Sequence, residues 1–216
     1  MERNNDSMES FEFELTSALP MSSVDISVTR QYLKMLQERT SSASLLVQPH
    51  HSEEQPATKD AAGLQCLRSK NVAHEVIPYN YEIKGAEAAA LQTGSDLHSM
   101  IKTLVVALKP AGFCFVLAPG TLSVDMKAVA TVAGAKSARM ADPEASQQLT
   151  GYLVGGTSAL GAKCTDVPVF FDQSLLQFDS VVVNGGARGL LVRLKTADLI
   201  QCLNAKPARL CPPTPN

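Results

Sequence analysis

Cysteine pairs in Cys-x-x-Cys spacing are absent from this sequence. The five cysteines (66, 114, 164, 202 and 211) form an odd, scattered set. That excludes a zinc site built on paired thiolates, argues against a disulfide scaffold, and points to reduced thiols in a cytoplasmic compartment. No apolar run approaches the ~18 residues of a membrane span, so no membrane partner is expected. The first residues, MERNNDSMESFEFEL, are acidic and polar, unlike a signal or transit peptide. A dense Lys/Arg patch is also missing. Residues 1–58 carry four Lys/Arg against nine Asp/Glu, and residues 59–216 carry fifteen against twelve. The weakly basic body could touch a few phosphates but could not grip nucleic acid unaided. No Ser/His/Asp order, His-x-x-x-His or paired carboxylate stands out, and Cys164 would need a neighbouring base to act as a nucleophile.

What is present divides the chain into an extension and one domain. Residues 1–56 read as an N-terminal extension, partly disordered, with an amphipathic helix expected over 24–37 and a Ser-, Pro- and charge-rich linker after it. The domain is expected over 57–208, with 209–216 as a tail. Inside it, DAAGLQCLRSKN reads as a helix, HEVIPYNY as a strand, and EIKGAEAAALQTG as a helix closed by Gly94. KTLVVALK and FCFVLAP form a hairpin through KPAG. SVDMKAVATVAGA is a helix capped by Ser123, and DPEASQQL another that starts on Asp142 and Pro143. DVPVFFD and SVVVNGGARGLLVRL supply three more strands, and TADLIQCLNA the last helix. Helices mixed with tight hairpins give an α+β fold with a mixed, mainly antiparallel sheet.

Two glycine-rich stretches carry the functional question. TGYLVGGTSALG has P-loop spacing between Gly156 and Gly161, but Ala162 stands where the motif needs lysine, and Lys163 precedes Cys164. A strand-like segment with Pro168 follows, where a phosphate loop would feed a helix. Nucleotide binding is therefore excluded on context. The loop is either a bend or, with Asn184-Gly185-Gly186 on the other side, a pocket wall of exposed amides able to hold an oxyanion. Lys102 leads the apolar face of its strand, and would either snorkel into solvent or reach into a pocket mouth.

Taken in order over about residues 58–208, these pieces resemble the YbaK and prolyl-tRNA synthetase-associated editing domains, which deacylate mischarged tRNA. AEAAALQTGSDLHSMIKTLVVAL looks like that family's helix and lysine-threonine-leucine strand. LSVDMKAVATVAGAKSARMADPEASQQLTGY is similar to its central helix, Ala-Asp-Pro turn and Thr-Gly-Tyr entry, and GGTSALG, VPVFFDQSLL and VVVNGGARGLLVRL to its loop, strand with aspartate and closing hairpin. The resemblance implies a compact domain around a curved, barrel-like sheet, and a metal-independent, cofactor-free deacylase acting in trans on Ala- or Cys-tRNA(Pro) by substrate-assisted chemistry. It implies Lys102 as the catalytic lysine, Gly155, Gly156, Thr157 and Ser158 as the substrate loop, and Asp172, Asn184, Gly185 and Gly186 as further substrate contacts. The expected partners are the aminoacylated 3′ end of tRNA and, through residues 1–56, prolyl-tRNA synthetase or a multi-synthetase complex. The alternative is a non-catalytic editing-like module docked in such an assembly. Ala159 stands where the family loop commonly has proline, and Asn184 where several relatives have serine. Proline would fix φ, so alanine is expected to loosen the loop and alter rate or substrate choice.

Overall fold

The computed structural model describes residues 61–82 and 84–212. The helix expected at 24–37, and the extension as a whole, lie outside them. Short helices and strands alternate: α1 (Ala62–Ser69), β1 (His74–Pro78), α2 (Ala86–Thr93), β2 (Ile101–Lys109), β3 (Phe113–Pro119), α3 (Met126–Val132), β4 (Ser137–Met140) and α4 (Pro143–Thr150). After a long loop come β5 (Val169–Asp172), a 3-10 turn (Gln173–Gln177), β6 (Ser180–Ala187), β7 (Leu190–Lys195), α5 (Thr196–Leu203) and β8 (Lys206–Ala208). Among the described residues no helix is long and apolar enough to cross a membrane.

The α+β class expected from sequence is correct, but the strands form two sheets and no closed barrel. One is β1-β7-β6, wholly antiparallel. The other is β4-β2-β3-β5-β8, antiparallel at β4-β2-β3 and parallel from β3 to β8. A parallel bridge between Met100 and Val182 joins β2 to β6. Strand β3 is central and buried on both faces, which explains its unbroken apolar run. Its Phe115 and Leu117 enter one core with Leu64, Leu67, Phe171 and Leu199. The alternate residues Cys114, Val116 and Ala118 enter a second core with Val129, Phe170, Leu210 and Cys211.

Gly94 takes the left-handed conformation (φ 62°) after α2, and Asp142-Pro143 opens α4, as their residue types lead one to expect. At α3 the cap is Asp125, not Ser123: the Asp125 side chain accepts from the Lys127 N–H at 2.8 Å. The packed chain also continues past residue 208, the expected end of the domain, because Leu210 and Cys211 are buried in the second core.

The buried thiols set an alkaline limit on stability. Burial pushes the Cys114 thiol from its ordinary 9.0 up to about 11. Burial, together with the nearby Asp172 carboxylate, pushes Cys211 to about 12. The folded state therefore keeps protons that the unfolded chain releases near pH 9, and stability falls from pH 9 towards 11. We expect the urea midpoint to drop between pH 8.5 and 10.5, each thiol adding a slope of about 1.4 kcal/mol per pH unit. Cys114→Ala should flatten that drop, whereas an equal slope in the variant would exclude the thiol as its source.

Candidate functional site

Strand β2 changes neighbours along its length. Its start touches β6 at the Met100–Val182 bridge, and from Val105 onward its edge is covered by β4 and the residue after it, since the Ala141 N–H donates to the Val105 carbonyl at 2.9 Å. A cavity of about 410 Å³ lies beside this stretch, lined by Ile101 to Val105 of β2 and by Asn184 of β6. Because it lies at a sheet edge, it sees side chains from both faces of β2 as well as main chain. Ala86, Ala89, Met100, Ile101 and Leu191 give it an apolar lining. Lys102, Thr103, Ser146, Thr157 and Asn184 supply the polar groups.

Of the residues expected from sequence, Lys102, Gly155, Thr157 and Asn184 meet in this cavity. Lys102 does so half-buried, with its ammonium donating to the Leu122 carbonyl and, at 3.5 Å, to that of Gly120. Burial lowers its pKa, against smaller opposing effects of Cys211 and Glu87. Asn184 spans the cavity wall: its Nδ2 donates to the Gly155 carbonyl at 3.1 Å, and its Oδ1 accepts from the Gly186 N–H at 2.8 Å. This side chain pins the glycine loop to β6.

The glycine loop is shaped by close approach. At Gly155 φ is +94°, and a Cβ there would stand 1.7 Å from the Tyr81 Oη, so only glycine lets Tyr81 close over the loop. The Arg188 guanidinium lies 5.4 Å from the Tyr81 ring centre and donates through Nε to the Val154 carbonyl at 3.0 Å, bracing the loop from outside. Tyr79 meets Tyr81 edge-on at 6.3 Å. Tyr79 and Tyr81 both line the cavity and were not anticipated as site residues. The available signal was that two of only four tyrosines in the chain fall within three positions.

The remaining expected residues lie elsewhere. Gly156 spends its N–H on the Leu153 carbonyl. Ser158 is fully buried, with its Oγ accepting from the Leu160 N–H. Gly185 and Gly186 sit in an irregular stretch of β6 between Asn184 and Ala187, not in a turn facing the cavity. Gly185 lies under α1, where a Cβ on Gly63 would come within 2.2 Å of its carbonyl oxygen, and Gly186 lies against the Tyr152 ring. Asp172 is 2% exposed and outside the cavity wall. Its Oδ2 accepts from the N–H groups of Leu210 (2.8 Å) and Cys211 (2.9 Å), and its Oδ1 from the Ser174 N–H and hydroxyl. Burial alone would raise its pKa, but these bonds outweigh it and hold the carboxyl below the usual range. Ala159 packs into the first core and does not face the cavity. Among the described residues, no group of three His, Cys, Asp or Glu is placed to hold a metal ion.

The chain is 27% identical, over 125 residues, to a candidate Cys-tRNA(Pro)/Cys-tRNA(Cys) deacylase of Enterococcus faecalis, EbsC, covering 58% of this chain and 76% of that one. Two solved structures share the fold. One is a candidate trans-editing enzyme for prolyl-tRNA synthetase (TM-score 0.65, 23% identity, 73% of this chain and 98% of that one). The other comes from work on computational epitope grafting onto scaffold proteins (TM-score 0.66, 22% identity, 74% and 99%). The family model of the aminoacyl-tRNA editing domain matches residues 81–202, more than half of the chain, and the protein belongs to that family.

Proposed function

We propose that the chain is a trans-acting deacylase that hydrolyses the ester of mischarged tRNA, with Ala- or Cys-tRNA(Pro) as substrate. The observation that carries this reading is the juxtaposition, in one small cavity, of Lys102, the glycine-loop residues Gly155 and Thr157, and an apolar lining of alanines, Met100, Ile101 and Leu191. Family membership and the similarity to EbsC support it. Water attacks the ester carbonyl, the acyl C–O bond breaks, and the products are the free amino acid and tRNA with a restored 3′-terminal hydroxyl. Lys102 holds the 3′ end by its charge. The loop amides stabilise the developing oxyanion, and Asn184 keeps the loop in register with β6. The substrate supplies the proton acceptor, since no Asp, Glu or His is among the described residues that line the cavity.

Such an activity answers a physical problem. A synthetase pocket gains only ~1–3 kcal/mol from one methylene and so admits smaller amino acids, which a second, tighter site then removes. In the same proposal the protein works in the cytoplasm, and residues 1–56 dock a synthetase that delivers the tRNA.

The test is a deacylation assay on Ala-, Cys-, Ser- and Pro-tRNA(Pro). The expected result is hydrolysis of the alanyl or cysteinyl ester at least about tenfold faster than the prolyl ester, the discrimination that one or two methylenes can give. No turnover of any of them would overturn the reading in favour of a non-catalytic docking module.

A further inference from the structure

The mouth of the cavity is apolar where a protein surface is ordinarily polar. Among the described residues six large apolar side chains are exposed, and two of them, Met140 at 46% and Val154 at 56%, line the cavity. A lining residue this exposed stands where the cavity meets solvent. Pro143, exposed at the start of α4, and half-buried Tyr81 line the same cavity. Exposed apolar surface gathered at a cavity rim marks a binding surface. The Tyr81 ring is also held still. Its hydroxyl abuts Gly155, the Tyr79 ring meets it edge-on, and the Arg188 guanidinium lies 5.4 Å from its centre. A ring already fixed in place loses little further freedom when a ligand packs on it.

We infer that this rim is a stacking subsite for the terminal adenine of the tRNA, an inference that rests on the deacylase reading above. An aminoacyl ester brings its ribose and base with it. With the acyl group among the apolar lining, the base comes to rest at the mouth. The chemistry of the rim suits the flat face of a base. Pro143 and Val154 have no side-chain donor or acceptor, Met140 has only a weakly accepting sulfur, and the Tyr81 hydroxyl is turned against the loop. The rim side chains therefore read the base by its faces and not by its edges, so guanine is accepted about as well as adenine. Charge fits the same occupant. No Asp or Glu is among the described residues that line the cavity. Arg188 stands exposed beside Tyr81, a counter-charge for the phosphate that precedes the terminal nucleoside. An apolar protein segment, the rival occupant of such a rim, has no use for that cation.

The test uses stable analogues of the substrate end, with an amide in place of the ester: 3′-deoxy-3′-(alanylamino)adenosine, its guanosine counterpart, and the corresponding methyl riboside, which has no base. Titrated calorimetrically into the full chain, the adenosine compound should bind at least about tenfold more tightly than the riboside, the contribution of one base stacked on an aromatic ring. The guanosine compound should stay within about fivefold of it, below the discrimination of a hydrogen-bonded base edge. Tyr81→Ala should bring the adenosine compound and the riboside to nearly equal affinity. Met140→Ala, at an exposed position that the fold does not depend on, should narrow the same ratio. Equal affinity of the adenosine compound and the riboside for the wild type would leave the rim to a protein partner and overturn the inference. A ratio unchanged in both variants, a more than fivefold preference for adenine over guanine, or no binding of any compound overturns it too. The deacylase reading is judged separately: turnover of mischarged tRNA without a base preference would sink the inference alone, and base-dependent binding without turnover would sink the reading alone.

Discussion

Replacing Lys102 by alanine lowers kcat/KM for mischarged tRNA by about 100-fold or more, the loss typical of removing one preorganised electrostatic group from a reaction site. The structure gives two reasons to expect a functional loss without collapse. First, the Lys102 cation is desolvated, which lowers its pKa, so its field at the cavity is stronger than that of a surface lysine. Second, the bonds it would leave behind are made to carbonyls of Gly120 and Leu122, in a half-buried turn that water can reach. Their loss should cost only about 1 kcal/mol. Lys102→Met keeps the side-chain packing without the charge and should fall as far as alanine. Lys102→Arg should also be impaired, because a planar fork does not fit where a compact ammonium is cradled. The pH profile adds a readout that packing alone would not move. A lysine with a lowered pKa loses its proton at lower pH than an ordinary one, so activity should decline on the alkaline side before pH 10.5, and that limb should vanish in the alanine variant. Hydrolysis by Lys102→Ala at the wild-type rate would remove Lys102 from the site.

The parts of this fold legible in the sequence are those decided by neighbours in the chain. Gly94 ends α2 because a left-handed residue is needed there, and the Lys102–Pro119 region forms a hairpin because two apolar runs flank a short turn. What the sequence hides is decided at long range. Ser123 and Asp125 are both good cap residues, and the choice falls to Asp125, whose N–H is taken by the Leu210 carbonyl at 2.8 Å. SARM and KPA lack strand alternation, yet they become β4 and β8 because the exposed edges of β2 and β5 accept them. NGGARG looks like a turn, but β6 runs on to Ala187 through an irregular register, and only Arg188 and Gly189 turn the chain. Lys102, Gly155, Thr157 and Asn184 could be named because the lysine-led strand and the two glycine-rich stretches resemble those of the editing domains; the residue patterns alone left each open. Tyr79 and Tyr81 could not, because a tyrosine just past a strand end fits an exposed loop and a cavity wall equally well. An aspartate at a strand end is ambiguous in the same way: its type fits a pocket acid and a buried clamp equally well.

Asp172 resolves that ambiguity in a measurable way, since Asp172→Ala should destabilise the protein while sparing the chemistry. The carboxylate is buried and accepts four hydrogen bonds, two of them from the consecutive N–H groups of Leu210 and Cys211. Alanine would leave three backbone donors unmatched in the interior, at ~1–3 kcal/mol each, so a net loss of about 4 kcal/mol is expected. For a domain of this size that corresponds to a fall in Tm of roughly 8–16 °C. Asp172→Asn retains one acceptor oxygen but turns an NH2 towards N–H donors, and should fall between the two. The acid limb gives an independent check. The folded pKa of Asp172 lies below its ordinary 3.8. Its contribution to stability is therefore complete above pH 3.8 and is lost as the pH falls through the folded value, so the alanine variant should show a shallower acid transition. The segment that Asp172 anchors also carries the Leu210 carbonyl that holds Asp125, three residues beyond the Leu122 carbonyl bound by Lys102. Some slackening of Lys102 is thus expected, but well below the loss from removing it: less than about tenfold in the folded variant, assayed far below its Tm. A variant as stable as the wild type, yet impaired about 100-fold, would return Asp172 to the substrate pocket and reverse this assignment.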